Sequence, residues 1–369
     1  IDKKLSWKPN ITERIKKSYN AFYACKKMFG KTWGLSPKVT YWIFTSIVRP
    51  ILLYGVAVWW PALDVCINRY KLNKVQRDLL INITGAISTT STESLNMILG
   101  LTPIDLFAKS VAYKTALRLK ESNWFRSTHL GHSNIDNIND ISTDYNVPTI
   151  IFDKNFTTKF PSRKFWSSRV SDPQNSINIY TDGSKQSEGV GCGFYIHNMN
   201  VEQYFKLPDD CSIFQAEIAA ILKGAEYLKT YSINKNINFF IDSQAAIKAL
   251  EKLSYNSKLV LECRKVLDNL GKNNLVTLNW VPGHNNIFGN EKADDLAKKG
   301  VISSQTPLNI SLPLQYYIRK KESEIRNFYE TKYVNSNTSI VTKNFFDKFD
   351  IKKTKFVLSL DRPKCKALV

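Results

Sequence analysis

Trp280-Val281-Pro282-Gly283-His284-Asn285-Asn286-Ile287-Phe288-Gly289-Asn290-Glu291-Lys292-Ala293-Asp294 is the stretch on which the reading of this chain turns. A β-rich run ends at Trp280, Pro-Gly interrupts it, and a helix-forming run carrying acids follows. Three stretches upstream also place a carboxylate in unusual surroundings: Tyr180-Thr181-Asp182-Gly183-Ser184, Gln215-Ala216-Glu217 and Ile241-Asp242-Ser243. Asp182 and Asp242 each follow an apolar run, 177–181 and 237–241, so both are expected at strand ends. Glu217 borders a helical stripe of Phe214, Ile218, Ile221, Leu222, Ala225 and Leu228, where an uncompensated charge is expensive. Asp294 falls on the last of the expected helices. Like charges brought together repel and raise one another's pKa unless a cation sits among them. Oxygen-only clusters of this kind suit Mg²⁺ or Mn²⁺ and phosphoryl chemistry.

Each acid also has an ordinary reading. Asp182-Gly183 has turn composition, but the next strand begins only near Val190, which excludes a two-residue hairpin turn there. Asp242, directly before a helix, has the position of an N-cap. Glu291 suits a first helical turn through the helix dipole, and Asp294 suits a solvated helix face. The weight lies in the joint order.

The surrounding pattern predicts strands at 177–181, 190–196, 202–207, 237–241 and 275–280, with helices at 213–231, 243–254, 257–270 and 288–300. Ser212 and Gln215 form a capping box before the first of these helices. Three hairpin-connected strands followed by alternating helix and strand predict an α/β mixed sheet.

The order of the four acids, and above all the 280–294 loop and helix, resembles the type 1 ribonuclease H family. That resemblance implies an α/β ribonuclease H-like fold, a mixed five-stranded sheet with helices on both faces. It implies endonucleolytic hydrolysis of the RNA strand of RNA/DNA hybrids, leaving a 5′ phosphate and a 3′ hydroxyl. Asp182, Glu217, Asp242 and Asp294 would bind two Mg²⁺ ions, with Mn²⁺ as substitute, and His284 would move a proton or aid product departure. Gly183, Ser184, Gln244 and Asn290 are candidate contacts to the nucleic acid. The chain departs from the family at Asn286, where Gly is usual; Asn tolerates left-handed backbone next best. Only Gly271 to Leu275 separate helix 257–270 from the next strand, so the basic handle of the bacterial enzymes is not expected. The rival reading keeps the fold without activity: an inactive retroelement remnant that binds nucleic acid.

The 369-residue chain carries a formal charge of +20, unevenly spread. Residues 177–300 hold 14 Lys+Arg against 14 Asp+Glu, residues 1–176 hold 25 against 12, and residues 301–369 hold 13 against 6. A neutral catalytic segment flanked by basic ones points to a polyanionic partner. Residues 1–126 read as helical: Trp7, Ile11, Ile15, Tyr19, Phe22 and Tyr23 recur at helical spacing, and a helix over 38–48 is expected to end at Pro50. Residues 127–176 read as a linker with one docked strand near 149–152, residues 177–301 as the ribonuclease H domain, and 302–369 as a basic helical tail.

Leu5-Ser6-Trp7-Lys8-Pro9-Asn10-Ile11, Trp33-Gly34-Leu35 and the run from Arg49 to Trp59 resemble the thumb or connection region after the reverse transcriptase palm in jockey- or I-like non-LTR retrotransposons. An upstream reverse transcriptase domain of the same polyprotein is the implied partner, and the initial Ile1 fits a fragment. No aromatic-x-Asp-Asp polymerase motif is present, so polymerase activity is not expected. Six scattered cysteines without C-x-x-C signal neither zinc nor a disulfide framework. With no secretion signal and no uninterrupted apolar span, an intracellular protein of nucleus or cytoplasm without a membrane partner is expected.

Overall fold

A computed structural model describes residues 6–121, 138–167, 176–231, 233–283, 285 and 287–369. These fall into two units, one drawn from Ile1–Arg118, Gly131–Ile138 and Ile318–Val369, the other from Leu119–Leu130 and Asn139–Tyr317.

The second unit is built on eight strands: β1 Tyr145–Ile150, β2 Phe156–Lys159, β3 Ser176–Gln186, β4 Gly189–Ile196, β5 Val201–Leu207, β6 Asn236–Ile241, β7 Ser254–Ser257 and β8 Leu275–Trp280. β1 and β7 form an antiparallel pair. The others make a mixed sheet of order β2-β8-β6-β3-β4-β5. β2, β8, β6 and β3 run parallel, whereas β4 pairs antiparallel with both β3 and β5. The five expected strands are present, and the expected five-stranded sheet is corrected to six by β2. Its four residues carry too little apolar pattern to read as a strand, but Phe156 is buried in the core.

Alternation along the strands supplies both faces with core. Ile179, Phe239 and Ile241 pack with Ile218, Ile221 and Leu222 of helix Ile213–Tyr231 and with Leu267 of helix Lys258–Gly271. Tyr180 and Phe240, one residue out of phase, pack with Ala293 and Leu296 of helix Phe288–Ile302. That last helix lies so close to the sheet that a Cβ on Gly191 would sit 2.3 Å from Val301 N. The Ser212–Gln215 capping box forms: Gln215 N donates to Ser212 Oγ and Ser212 N to Gln215 Oε1, each at 3.2 Å. Helix 243–254 proves shorter, Gln244–Glu251, and β7 takes up the following residues.

The first unit is helical. Helices Lys8–Lys26, Cys66–Thr84 and Ile104–Lys120 bury Ile11, Phe22, Leu72, Leu79 and Ile104 in a core with Val48, Leu52 and Trp59. The helical path does not stop before Pro50, contrary to expectation. Pro37–Ile43 widens into the π-helical turn Phe44–Val48 and continues as Arg49–Leu52, with Pro50 in its first turn, where a missing N–H is tolerated. Residues 302–369 contribute helices Leu314–Val334, Ile351–Ser359 and Arg362–Leu368. In this unit Leu358 joins the main core, and Val357 and Cys365 pack with Ile98. Arg362, 3% exposed, donates to Leu35 O, Asn82 O and Thr40 Oγ1 and lies over Phe29. No single helix among the described residues is long and apolar enough to cross a membrane. The bent pair Pro37–Leu52 and Val56–Asp64 passes by composition, but its Phe44, Val48, Leu52 and Trp59 are buried in the helical core.

Candidate active site

Asp182 is not at a strand end. The parallel pairing of β3 with β6 stops at Thr181 opposite Ile241, but β3 runs on as a hairpin with β4, and Asp182 pairs with Gly193 inside it. The chain turns only at Ser187-Glu188, between the paired Gln186 and Gly189. Asp182 therefore sits where parallel pairing ends and the sheet opens. Asp242 follows β6 at the same level. It is not the N-cap of the next helix, because Ser243 Oγ accepts the Ala246 N–H in that role. The Asp242 carbonyl accepts the Trp280 indole N–H at 3.0 Å, tying the end of β6 to the end of β8.

Glu217 comes from the first turns of helix Ile213–Tyr231. At Gly183 a Cβ would lie 2.5 Å from Glu217 N and 2.6 Å from Ala216 C. Only a residue without a side chain lets this helix lie so near β3, and that approach brings Glu217 to Asp182. Ligand oxygens of Asp182, Glu217 and Asp242 all lie within 4.8 Å of one another. Asp182 and Glu217 are each 7% exposed, and Glu217 Oε2 is buried with no hydrogen-bond partner among the described residues.

Electrostatics follow from this crowding. Burial, then the charges of Asp242 and Asp294, push the Asp182 carboxyl up to about 8. Burial, then Asp182 and Asp242, hold Glu217 well above the usual carboxylate range. Such a cluster favours protons or a cation. The donor set is all oxygen, and among the described residues the Glu217 Oε2 atom has no hydrogen-bond partner. The residues therefore fit a hard divalent cation.

Asp294, on helix Phe288–Ile302, lies beside Asp182, raising its pKa through its charge and a side-chain hydrogen bond, but is not one of the three carboxylates whose oxygens all lie within 4.8 Å of one another. Lys298, one turn on, donates to Asp294 Oδ2 at 2.7 Å, and that hydrogen bond raises the lysine's pKa. Sequence reasoning does not single out Lys298; its signal is the i,i+4 spacing from Asp294, which solvated helix faces also show. His284 and Asn286 lie outside the described residues. The loop leading to them passes Asp242, since a Cβ on Gly283 would be 3.1 Å from Asp242 Oδ2. Among the candidate nucleic-acid contacts, Gly183 and Ser184 lie within β3 beside the cluster and Gln244 is exposed at its helix start. Asn290 is buried, with its Oδ1 accepting no hydrogen bond.

A mixed sheet with helices packed on it gathers these carboxylates where parallel pairing ends, a site that could hold a divalent cation. Residues 174–302 match the ribonuclease H family (RNase H). That segment is a ribonuclease H domain, of the kind carried by non-LTR retrotransposon polyproteins. The chain is 30% identical over 105 residues to the putative 115 kDa protein in type-1 retrotransposable element R1DM of Drosophila melanogaster, covering 27% of this chain and 10% of that protein. It is 26% identical over 106 residues to the Pol polyprotein from retrotransposable element R1 of Nasonia vitripennis, covering 29% and 32%. Human ribonuclease H1 is 31% identical over 149 residues, covering 35% and 51%. The matches thus span from a tenth to about half of these relatives' lengths.

Proposed function

We propose that this chain hydrolyses the RNA strand of RNA/DNA hybrids endonucleolytically, within a retroelement-derived protein whose reverse transcriptase lies upstream. The observation that carries the reading is the convergence of Asp182, Glu217 and Asp242 around the unpartnered Glu217 oxygen. Asp182, Glu217, Asp242 and Asp294 would hold two Mg²⁺ ions, with Mn²⁺ as substitute. Divalent ions at such a site supply charge stabilisation to the phosphoryl group and lower the pKa of water.

The chain's own residues do the rest. Burial of Asp182 and Glu217 fixes their oxygens and keeps bulk water from screening them. Lys298 balances the Asp294 charge beside the cluster. A water oxygen adds to phosphorus, the P–O3′ bond breaks, and the departing 3′ oxygen takes a proton. His284, which follows Gly283 in sequence, is the group proposed to move protons there. Gly183, Ser184, Gln244 and Asn290 are proposed to meet the substrate, reading the 2′-hydroxyls and wide minor groove that mark RNA in a hybrid.

Product analysis tests this. Internal cuts in the RNA strand of a hybrid should leave 5′-phosphate and 3′-hydroxyl ends, with single-stranded and double-stranded RNA left whole. Ends bearing 2′,3′-cyclic phosphate, or equal cutting of single strands, would contradict it.

A further inference from the structure

Almost all of the net charge belongs to the helical unit. Its sequence, residues 1–118, 131–138 and 318–369, holds 31 Lys+Arg against 13 Asp+Glu, a net of +18; the remainder holds 21 against 19. A hollow of about 450 Å³ opens on this unit, walled by Arg49, Phe107, Arg319, Glu322, Arg326 and Phe349 among others. Arg319, Glu322, Ser323 and Arg326 recur at three- and four-residue spacing, so one face of helix Leu314–Val334 supplies one wall.

Two of the guanidiniums lie over aromatic rings. Arg49 Cζ lies 3.9 Å from the Phe107 ring centroid and Arg326 Cζ 5.2 Å from that of Phe349. A cation over a ring face is held by the ring's quadrupole, and a guanidinium is the side chain suited to taking an oxyanion in bidentate fashion. Among the described residues, none of the three arginines has a carboxylate within ion-pair distance, and Glu322 is the single acid in the wall. Burial lowers the Arg49 pKa, yet a guanidinium stays charged throughout the physiological range. A partly desolvated cation without a protein counter-charge is stabilised by an external anion. The basic excess of the whole unit favours a polyanion over a small one.

We infer that this arginine hollow, on the unit that does not carry the carboxylate cluster, binds a phosphodiester of a nucleic-acid strand. The site is independent of hydrolysis and is read by binding alone.

The test is fluorescence anisotropy with a labelled single-stranded oligonucleotide and the full chain in EDTA, over a salt series. Arg319→Ala/Arg326→Ala is compared with Lys16→Ala/Lys38→Ala, which removes the same charge from positions elsewhere on the unit. Two lost phosphate contacts should reduce the slope of log K against log salt by about 1.4, which is about 25-fold in affinity at 0.1 M salt. The lysine pair should move the slope by less than half of that, with helical circular dichroism unchanged in both. Arg319→Lys/Arg326→Lys should keep most of the slope, since charge is retained. Equal losses for the two alanine pairs would overturn the inference in favour of diffuse charge. Competition by inorganic phosphate as strong as by the strand would reassign the hollow to free phosphate, and equal competition by poly-glutamate would reassign it to an acidic protein segment.

Discussion

Replacing Asp182 with Asn should make the metal-free ribonuclease H domain more stable at alkaline pH while destroying its capacity to gain stability from Mg²⁺. The carboxylate oxygens lie within 4.8 Å of one another. At an effective dielectric constant near 20, one fully ionised pair at that distance repels by roughly 3.5 kcal/mol. Asp182 is pushed up to about 8, so near pH 8 about half of that repulsion is present, roughly 2 kcal/mol. The sign follows from linkage. A carboxyl whose pKa is raised by folding binds its proton more tightly in the folded state. Stability is therefore greatest below the ordinary value of 3.8 and is lost as pH rises towards about 8. The amide introduced by Asp182→Asn is a neutral isostere that never develops the charge. In EDTA near pH 8 the variant should melt about 4–8 °C above the wild type, and the gap should be smaller at pH 5 and shrink further towards 3.8. Mg²⁺ at a hundredfold excess over its Kd should return about 2.7 kcal/mol to the wild type and little to the variant. Calorimetry at both pH values, with and without Mg²⁺, reads all four states. A variant less stable than the wild type by the same amount at both pH values would refute the reasoning, because the carboxylate would then be a structural hydrogen-bonding group.

Further outcomes follow from particular contacts. Gly183→Ala drives a Cβ into the backbone at Ala216 and Glu217, so thermal melting should show a loss of about 1–3 kcal/mol, with hybrid cleavage falling at least tenfold as Glu217 is displaced. Arg264, 1% exposed, pairs with Asp268 at 2.6 Å, donates to Leu250 O and Asp153 O, and lies over Phe156. Arg264→Met should cost about 3–4 kcal/mol in urea unfolding and expose the β2 edge to proteolysis. Arg362→Ala strands the Leu35 and Asn82 carbonyls and should lower the helical unit's unfolding free energy by about 3 kcal/mol, measured by urea titration followed by circular dichroism.

The sheet, its helices and the identities of the clustered acids are legible in the sequence because they rest on local pattern: period-two runs, the helical stripe around Glu217, and the Ser212–Gln215 cap. What is not legible depends on distant partners. β2 is short and polar apart from Phe156, and becomes a strand because β8 offers an edge and the Arg264 guanidinium covers the ring. Asp182 reads as a strand end because a β-pattern cannot tell the end of parallel pairing from the end of the strand. Asp242 has an N-cap's position, and the neighbouring Ser243 takes that role instead. The buried contacts of Arg362 reach residues 280 and more positions away, beyond any windowed reading.

The most direct test of the account is cleavage of a labelled RNA strand, annealed to DNA, by wild-type protein and by Asp242→Asn. The account predicts Mg²⁺-dependent cutting of the hybrid alone, abolished by EDTA and by the substitution. A folded wild-type protein that binds the hybrid and leaves it whole in Mg²⁺ and in Mn²⁺ would contradict it and identify the carboxylate cluster as the remnant of an inactive element.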